Sequence, residues 1–209
     1  MPISWKAWKQ ILCLFILVGV FLLAVVPAYS ADGGFPSKVA TRSQVLRGRY
    51  LVLVSACADC HSPNQTPNDP YWMAGYIPGT PGQPFQIGSL KVFGSNLTPD
   101  RDTGLGNWTP KQIFNSLREG KDDEGHLLCP PMPWPFYRYM TDRDTWAIAA
   151  YLKSLKPVKN EVPPTMDAVP GAKHDGKEVN CSIFYKNLKP IPPYPGANEV
   201  KVPATRISR

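Results

Sequence analysis

Apart from one stretch near its start, the 209-residue chain has no long apolar run, which excludes a polytopic membrane protein. It also lacks a cluster of Lys and Arg of the kind that grips nucleic acid, although 23 basic against 16 acidic residues leave a formal net charge of +7. Glycine follows no period, so a collagen-like chain is excluded, and no internal repeat is visible. A composition that is 43% hydrophobic and 11% aromatic argues against general disorder. Cysteine and histidine are scarce, five and three, yet two of the cysteines and one histidine fall within five residues. Proline and glycine are abundant, 24 and 16 residues, and point to many loops and few long elements around one domain of ordinary size.

The single apolar stretch belongs to an export segment, residues 1–30. Lys6 and Lys9 form a short positive region, Ile11 to Val26 carries no charge, and Ala28 and Ser30 suit the −3 and −1 positions of a cut after Ser30. A spanning helix needs about 20 apolar residues. The segment therefore reads as a signal peptide, with a retained single-span membrane anchor over residues 11–28 as the alternative. Cys13 opens the apolar run instead of closing it, which argues against lipoprotein-type cleavage. Either reading places the rest of the chain in the periplasm or another extracytoplasmic space.

Three helices are expected. The first covers residues 42–56, where Val45, Leu46, Tyr50, Leu53 and Val54 recur at spacings of 3 and 4. The second is marked by Thr109 as N-cap, Pro110 at the first position and Gln112 completing a capping box, with Ile113, Phe114 and Leu117 as its apolar face and Gly120 as its stop. The third begins at Thr141 or Asp142, presents Trp146, Ile148, Ala149, Leu152 and Leu155, and ends before Pro157. Residues 62–107 hold seven prolines and read as loop, with at most short strands near Phe85–Ile87 and Leu90–Phe93. Residues 157–209 hold nine prolines, so an extended tail over 161–209 is expected to lie on the domain or on a partner.

Chemistry concentrates in Cys57-Ala-Asp-Cys60-His61, the C-x-x-C-H signature of covalent c-type heme. Two thiols one helical turn apart can form thioethers to the two vinyl groups on one porphyrin edge, and the adjacent histidine then supplies an axial nitrogen to the iron. A chance match from this composition has odds of about two in a thousand. Three other uses of the pattern remain: a thioredoxin-like dithiol, which needs a βαβ context; a zinc site, which needs two more ligands from Cys129, Cys181 or His126; and a short, strained disulfide.

The sixth iron ligand decides what such a heme does, because Met/His coordination fills both axial positions and favours electron transfer. The candidates are Met73, Met132, Met140 and Met166. Met73 follows His61 by only 12 residues, Met140 abuts a helix cap, and Met166 lies in the tail. Met132 sits in Cys129-Pro-Pro-Met-Pro-Trp134, a stiff loop of the kind that holds a weak thioether on iron. His126 would give a bis-histidine alternative.

The order of motifs resembles a known family. Cys57–His61, Asn96-Leu-Thr-Pro-Asp100, Thr103-Gly-Leu-Gly-Asn-Trp108, Gly125-His126, Pro131-Met-Pro-Trp134 and Ala150-Tyr-Leu-Lys-Ser-Leu155 follow one another as in class I c-type cytochromes, specifically the heme domains of the cytochrome c subunits of bacterial membrane-bound alcohol, aldehyde and sugar-acid dehydrogenases. The resemblance covers about residues 43–160. It implies an all-α class I cytochrome c fold over residues 42–160, with an extended loop insertion and the proline-rich tail appended. The first and last helices would cross, and His61 and Met132 would be the axial ligands of one covalent heme c. It implies an electron carrier without catalysis of its own, serving redox protein partners such as a dehydrogenase or a membrane electron-transport complex. A heme sensor or peroxidase-like enzyme is the third reading and needs an open sixth position. Those dehydrogenase subunits carry three heme motifs where this chain has one, and the tail after residue 160 has no counterpart.

Other features are read alongside. Gly48 in the first helix lets the backbone approach an aromatic of the last, Trp146 or Tyr151. Asn96, Thr98 and Trp108 are candidate donors to heme propionates, since buried carboxylates need donors. Cys129 and Cys181 remain as an even pair and suggest a disulfide that pins the tail to the Met132 loop, worth roughly 4 kcal/mol on the chain-entropy model. Dispersed basic residues (Arg42, Arg47, Arg49, Lys153, Lys156, Lys159, Lys186, Lys189) either ring a heme edge and steer an acidic redox partner or form a solvated surface.

Overall fold

Thr41 opens the first helix, α1 (Arg42–Val54): its hydroxyl accepts the Gln44 N–H at 3.2 Å while Gln44 Oε1 accepts the Thr41 N–H at 2.8 Å, a complete capping box. The computed structural model describes residues 40–81, 83–167 and 181–191, all within the unit Ser37–Arg209. The export or anchor segment therefore lies outside the described residues, as do residues 168–180 and 192–209 of the tail. No described helix is long and apolar enough to cross a membrane.

Helix α1 stops at Ser55, and Ala56 in the left-handed region (φ 57°) swings the chain into the one-turn helix α2 (Cys57–His61). Turns follow as far as a hairpin of β1 (Phe85–Ile87) and β2 (Leu90–Val92). Helix α3 (Pro110–Arg118) carries the expected Thr109–Gln112 capping box, and Gly120 follows it at φ 69°. A short α4 (Trp134–Tyr137) precedes α5 (Asp142–Ser154), whose N-cap Thr141 accepts the Asp144 N–H at 3.1 Å. Strand β3 (Met166–Asp167) then pairs with the free edge of β2, giving the order β1-β2-β3, and Cys181–Tyr185 form a 3₁₀ helix.

The three expected helices are thus α1, α3 and α5. The all-α expectation is amended by the small antiparallel sheet, and the extended-tail expectation by the 3₁₀ helix. Both follow from a second apolar cluster, in which Leu90 and Val92 pack with Cys181, Phe85, Ile87 and Cys129.

The main core lies where α1 crosses α5. A Cβ on Gly48 would stand 1.9 Å from the Ala147 carbonyl oxygen and 2.7 Å from Tyr151 Cβ, so only glycine allows this crossing. Of the two aromatics expected there, Tyr151 is the one at the crossing, and Trp72 Nε1 donates to its hydroxyl at 2.9 Å. Trp146 instead stacks on Phe114 of α3, ring centroids 4.6 Å apart. Fully buried Val52, Ile113 and Ile148 fill the space between the three helices, each worth about 1.5–3 kcal/mol of burial. Arg47 of α1 pairs with Asp144 of α5 at 2.9 Å across the same junction.

Candidate functional site

Helix α2 offers two free thiols, Cys57 and Cys60. Burial pushes the Cys57 thiol up to about 11, a shift that its hydrogen bond with Tyr137 only partly offsets, and burial also raises Cys60. Both stand as neutral thiols near neutral pH. Burial raises Tyr137 in turn, and its hydroxyl donates to the Ser55 carbonyl at 2.7 Å.

His61 is buried, and its Nδ1 lies 2.7 Å from the Ser95 carbonyl oxygen. A carbonyl only accepts, so Nδ1 carries the proton and Nε2 keeps its lone pair, which is the arrangement that a metal-binding imidazole requires. Burial lowers the His61 pKa and keeps the ring neutral. Ser95 reaches this position because the chain after β2 passes hard against α2. A Cβ on Gly94 would sit 1.6 Å from the Cys60 carbonyl oxygen, and Gln83 bridges the two segments by donating to Cys60 O (2.7 Å) and accepting from the Gly94 N–H (2.9 Å).

Two adjoining cavities of about 730 and 190 Å³ meet at His61 and Met132, which line both, together with Cys60, Leu97 and Leu152. Cys57, Met73 and Tyr137 line the smaller, and Trp108, Ser95 and Asp122 the larger. Met132 is held between the Cys129–Cys181 disulfide and α4, and its N–H donates to the Cys129 carbonyl at 3.2 Å. The expected disulfide is therefore present, Cα atoms 5.1 Å apart.

The other ligand candidates are disposed differently. Met140 packs on the core and lines neither cavity. Met73 is buried, with its sulfur accepting the Ser62 hydroxyl at 3.6 Å. His126 lies on an exposed turn with Nδ1 3.3 Å from Asp122 and lines neither cavity itself, although Asp122 and Leu127 beside it line the larger. Met166 falls where side chains are not described. Among the described residues no three His, Cys, Asp or Glu side chains converge as metal ligands, and Cys129 and Cys181 are bonded to each other, so the zinc alternative lacks its further ligands.

Of the three expected propionate donors only Trp108 lines a cavity. Asn96 and Thr98 are spent within the protein. Asn96 Nδ2 donates to the Val158 carbonyl (2.8 Å) and Thr103 Oγ1 (3.1 Å), and its Oδ1 accepts the Thr98 N–H (3.0 Å) and hydroxyl (2.8 Å). Buried polar groups must be satisfied, and here they tie down the segment that leaves α5. Several of the basic residues expected to steer a partner are also committed: Arg47 to Asp144, Lys159 to Asp102 (3.1 Å), and Lys153 to the carbonyls of Leu105, Gly106 and Trp108, each at 3.0 Å. Lys153 thereby holds the turn that carries Trp108.

Two contributors escape sequence reasoning. Ser95 acts through a backbone carbonyl, which leaves no side-chain signal, and Tyr137 could have been found only from its place in the helix that follows Met132. Two thiols, an imidazole with a free Nε2 and a thioether sulfur on a mostly apolar cavity form a donor set that fits a flat apolar group bonded through sulfur and ligated by nitrogen and sulfur.

The region that carries these residues is similar to known proteins. Residues 45–156 match the family model described as Cytochrome c. The chain is 32% identical over 127 residues to the fructose dehydrogenase cytochrome subunit of Gluconobacter japonicus, covering 60% of this chain and 24% of that one. It is 29% identical over 130 residues to the gluconate 2-dehydrogenase cytochrome c subunit of Pantoea cypripedii (62% and 27%), and 26% identical over 168 residues to the cytochrome c subunit of the quinone alcohol dehydrogenase of Gluconobacter oxydans (76% and 29%). The matched region is about a quarter of the length of these relatives.

Proposed function

Because the chain belongs to the cytochrome c family, whose cofactor is covalent heme c, we propose that it is an exported monoheme electron carrier, with Cys57 and Cys60 as the attachment thiols and His61 and Met132 as axial ligands. When bound, the heme supplies a one-electron couple. The protein's part is to hold and shield it. The observation that carries the reading is the meeting of His61 and Met132 on both cavities, with the His61 Nδ1–H donated to the Ser95 carbonyl so that Nε2 is free to bind metal. Leu97 and Leu152 keep the lining apolar, and Trp108, braced by Lys153, contributes an indole N–H that can donate to a propionate. Asn96 and Thr98 act as structural ties, not as propionate donors.

The names of the relatives favour a second form of the same reading, in which the chain is the electron-relay subunit of a dehydrogenase complex. In both forms substrate oxidation belongs to a partner. Export to the periplasm follows from residues 1–30, and the covalent attachment of heme outside the cytoplasm is consistent with it.

A pyridine hemochrome spectrum of the purified protein should give one c-type heme per chain; none, or a noncovalent heme, would end this reading. M132A should abolish the near-infrared Met–iron band of the ferric protein and lower its reduction potential, since the thioether ligand favours the reduced state. A band that survives M132A would remove Met132 from the coordination sphere.

A further inference from the structure

The tail segment Cys181–Ile191 and the chain from Trp134 to Met140 form one face. The Cys129–Cys181 disulfide anchors one end, the Tyr185 ring packs edge-on against Trp134 at 4.8 Å, and the Arg138 guanidinium donates to the Lys189 carbonyl. Large apolar side chains stand out from both strips, with Phe136 76% exposed and Tyr139 55%, and Phe184, Leu188 and Ile191 also exposed. Their only charges are basic: Arg138, Lys186 and Lys189, with no Asp or Glu in either stretch. Solvated surfaces do not gather aromatics in this way, whereas binding faces do.

We propose that this face is the docking surface for a redox protein whose contact patch is apolar at its centre and acidic at its rim. The assignment rests on the electron-carrier reading above. Charge complementarity selects the partner's sign, and position selects its class: Tyr137 of this stretch and Pro133 just before it line the cavity that also holds Cys57 and Met132. A protein seated on Phe136 therefore lies one helix wall from the cofactor site, where a short electron path is available. The exposed aromatics act as anchors, and the basic rim sets the rate of encounter.

The test uses the full heme-loaded protein, reduced by native-host membranes supplied with alcohol, sugar or sugar-acid substrates. F136S should slow reduction about tenfold. K186E/K189E should slow it about tenfold at low salt and flatten its dependence on ionic strength. Neither residue set touches the cavities, so both variants should be reduced by ascorbate at the wild-type rate, which also certifies their folding. Wild type and variants reduced equally fast by the membranes would overturn the docking face alone. A wild type that these membranes do not reduce would overturn the dehydrogenase-relay form of that reading and the docking face with it. Co-sedimentation with phosphatidylglycerol vesicles that is lost in K186E/K189E would reassign the face to lipid, and a concentration-dependent dimer lost in F136S would reassign it to a second copy of the chain; either result overturns the proposal.

Discussion

His61 owes its chemistry to a backbone atom. The Ser95 carbonyl fixes which nitrogen carries the proton, and it is delivered there by Gly94, the only residue type that can pass the Cys60 carbonyl so closely. Residue-scale pairs also set how the molecule responds to acid. Asp144 is held below the usual carboxylate range, chiefly by its hydrogen bond to Arg47. A depressed carboxylate pKa adds stability that is fully present above the ordinary Asp value and is lost as pH falls through the folded value. D144N should therefore lower stability at about pH 7 by a modest amount, seen as a lower unfolding midpoint. The gap should narrow at acid pH, below the ordinary Asp value, as wild-type Asp144 takes up its proton. Thermal melts of both proteins at the two pH values check this, and a gap of the same size at both would show that the ion pair is not its source.

Among the elements, the crossing of α1 and α5 is the most exacting. On an exposed helix position, Gly→Ala gains up to about 1 kcal/mol. At Gly48 the added methyl meets a carbonyl oxygen at 1.9 Å, so G48A should instead cost about 1–3 kcal/mol, seen as a lower midpoint in urea. The Thr109–Gln112 box and the Cys57–His61 turn were legible in the sequence because local chemistry dictates them, and Gly48 because the family resemblance implies that the first and last helices cross. The pairing of Met166–Asp167 with β2 was not, since a two-residue strand carries no periodicity and depends on the chain returning from far away. Asn96 and Thr98 are hard to read from sequence for a related reason. A buried polar side chain announces that it needs a partner, but not whether that partner is a ligand or the carbonyl of Val158, 60 or so residues on. Lys153 reads as an ordinary charge near a helix end, while its carbonyl partners on the 105–108 turn are set by tertiary packing.

At the scale of the whole molecule, the Cys129–Cys181 bridge joins the second apolar cluster to the loop that holds Met132. It spans 52 residues, so the C129S/C181S variant should lose up to about 4 kcal/mol of stability on the chain-entropy account, read as a lower denaturant midpoint. If Met132 depends on that anchor, the near-infrared band should also weaken in the variant; a full-strength band would show that the proline-flanked loop suffices by itself. The same bridge has a consequence for how the protein is made. Four cysteines lie within 125 residues: two are oxidised to each other, and on the heme reading proposed above the other two must stay as thiols until they add to the cofactor. Once folded, the chain sorts them itself: Cys57, raised to about 11, is almost wholly un-ionised at neutral pH and so a slow partner for disulfide exchange. Before folding nothing distinguishes the four. Any compartment oxidising enough to close Cys129–Cys181 can also mispair Cys57 or Cys60, so on that reading maturation becomes a race between folding and random oxidation.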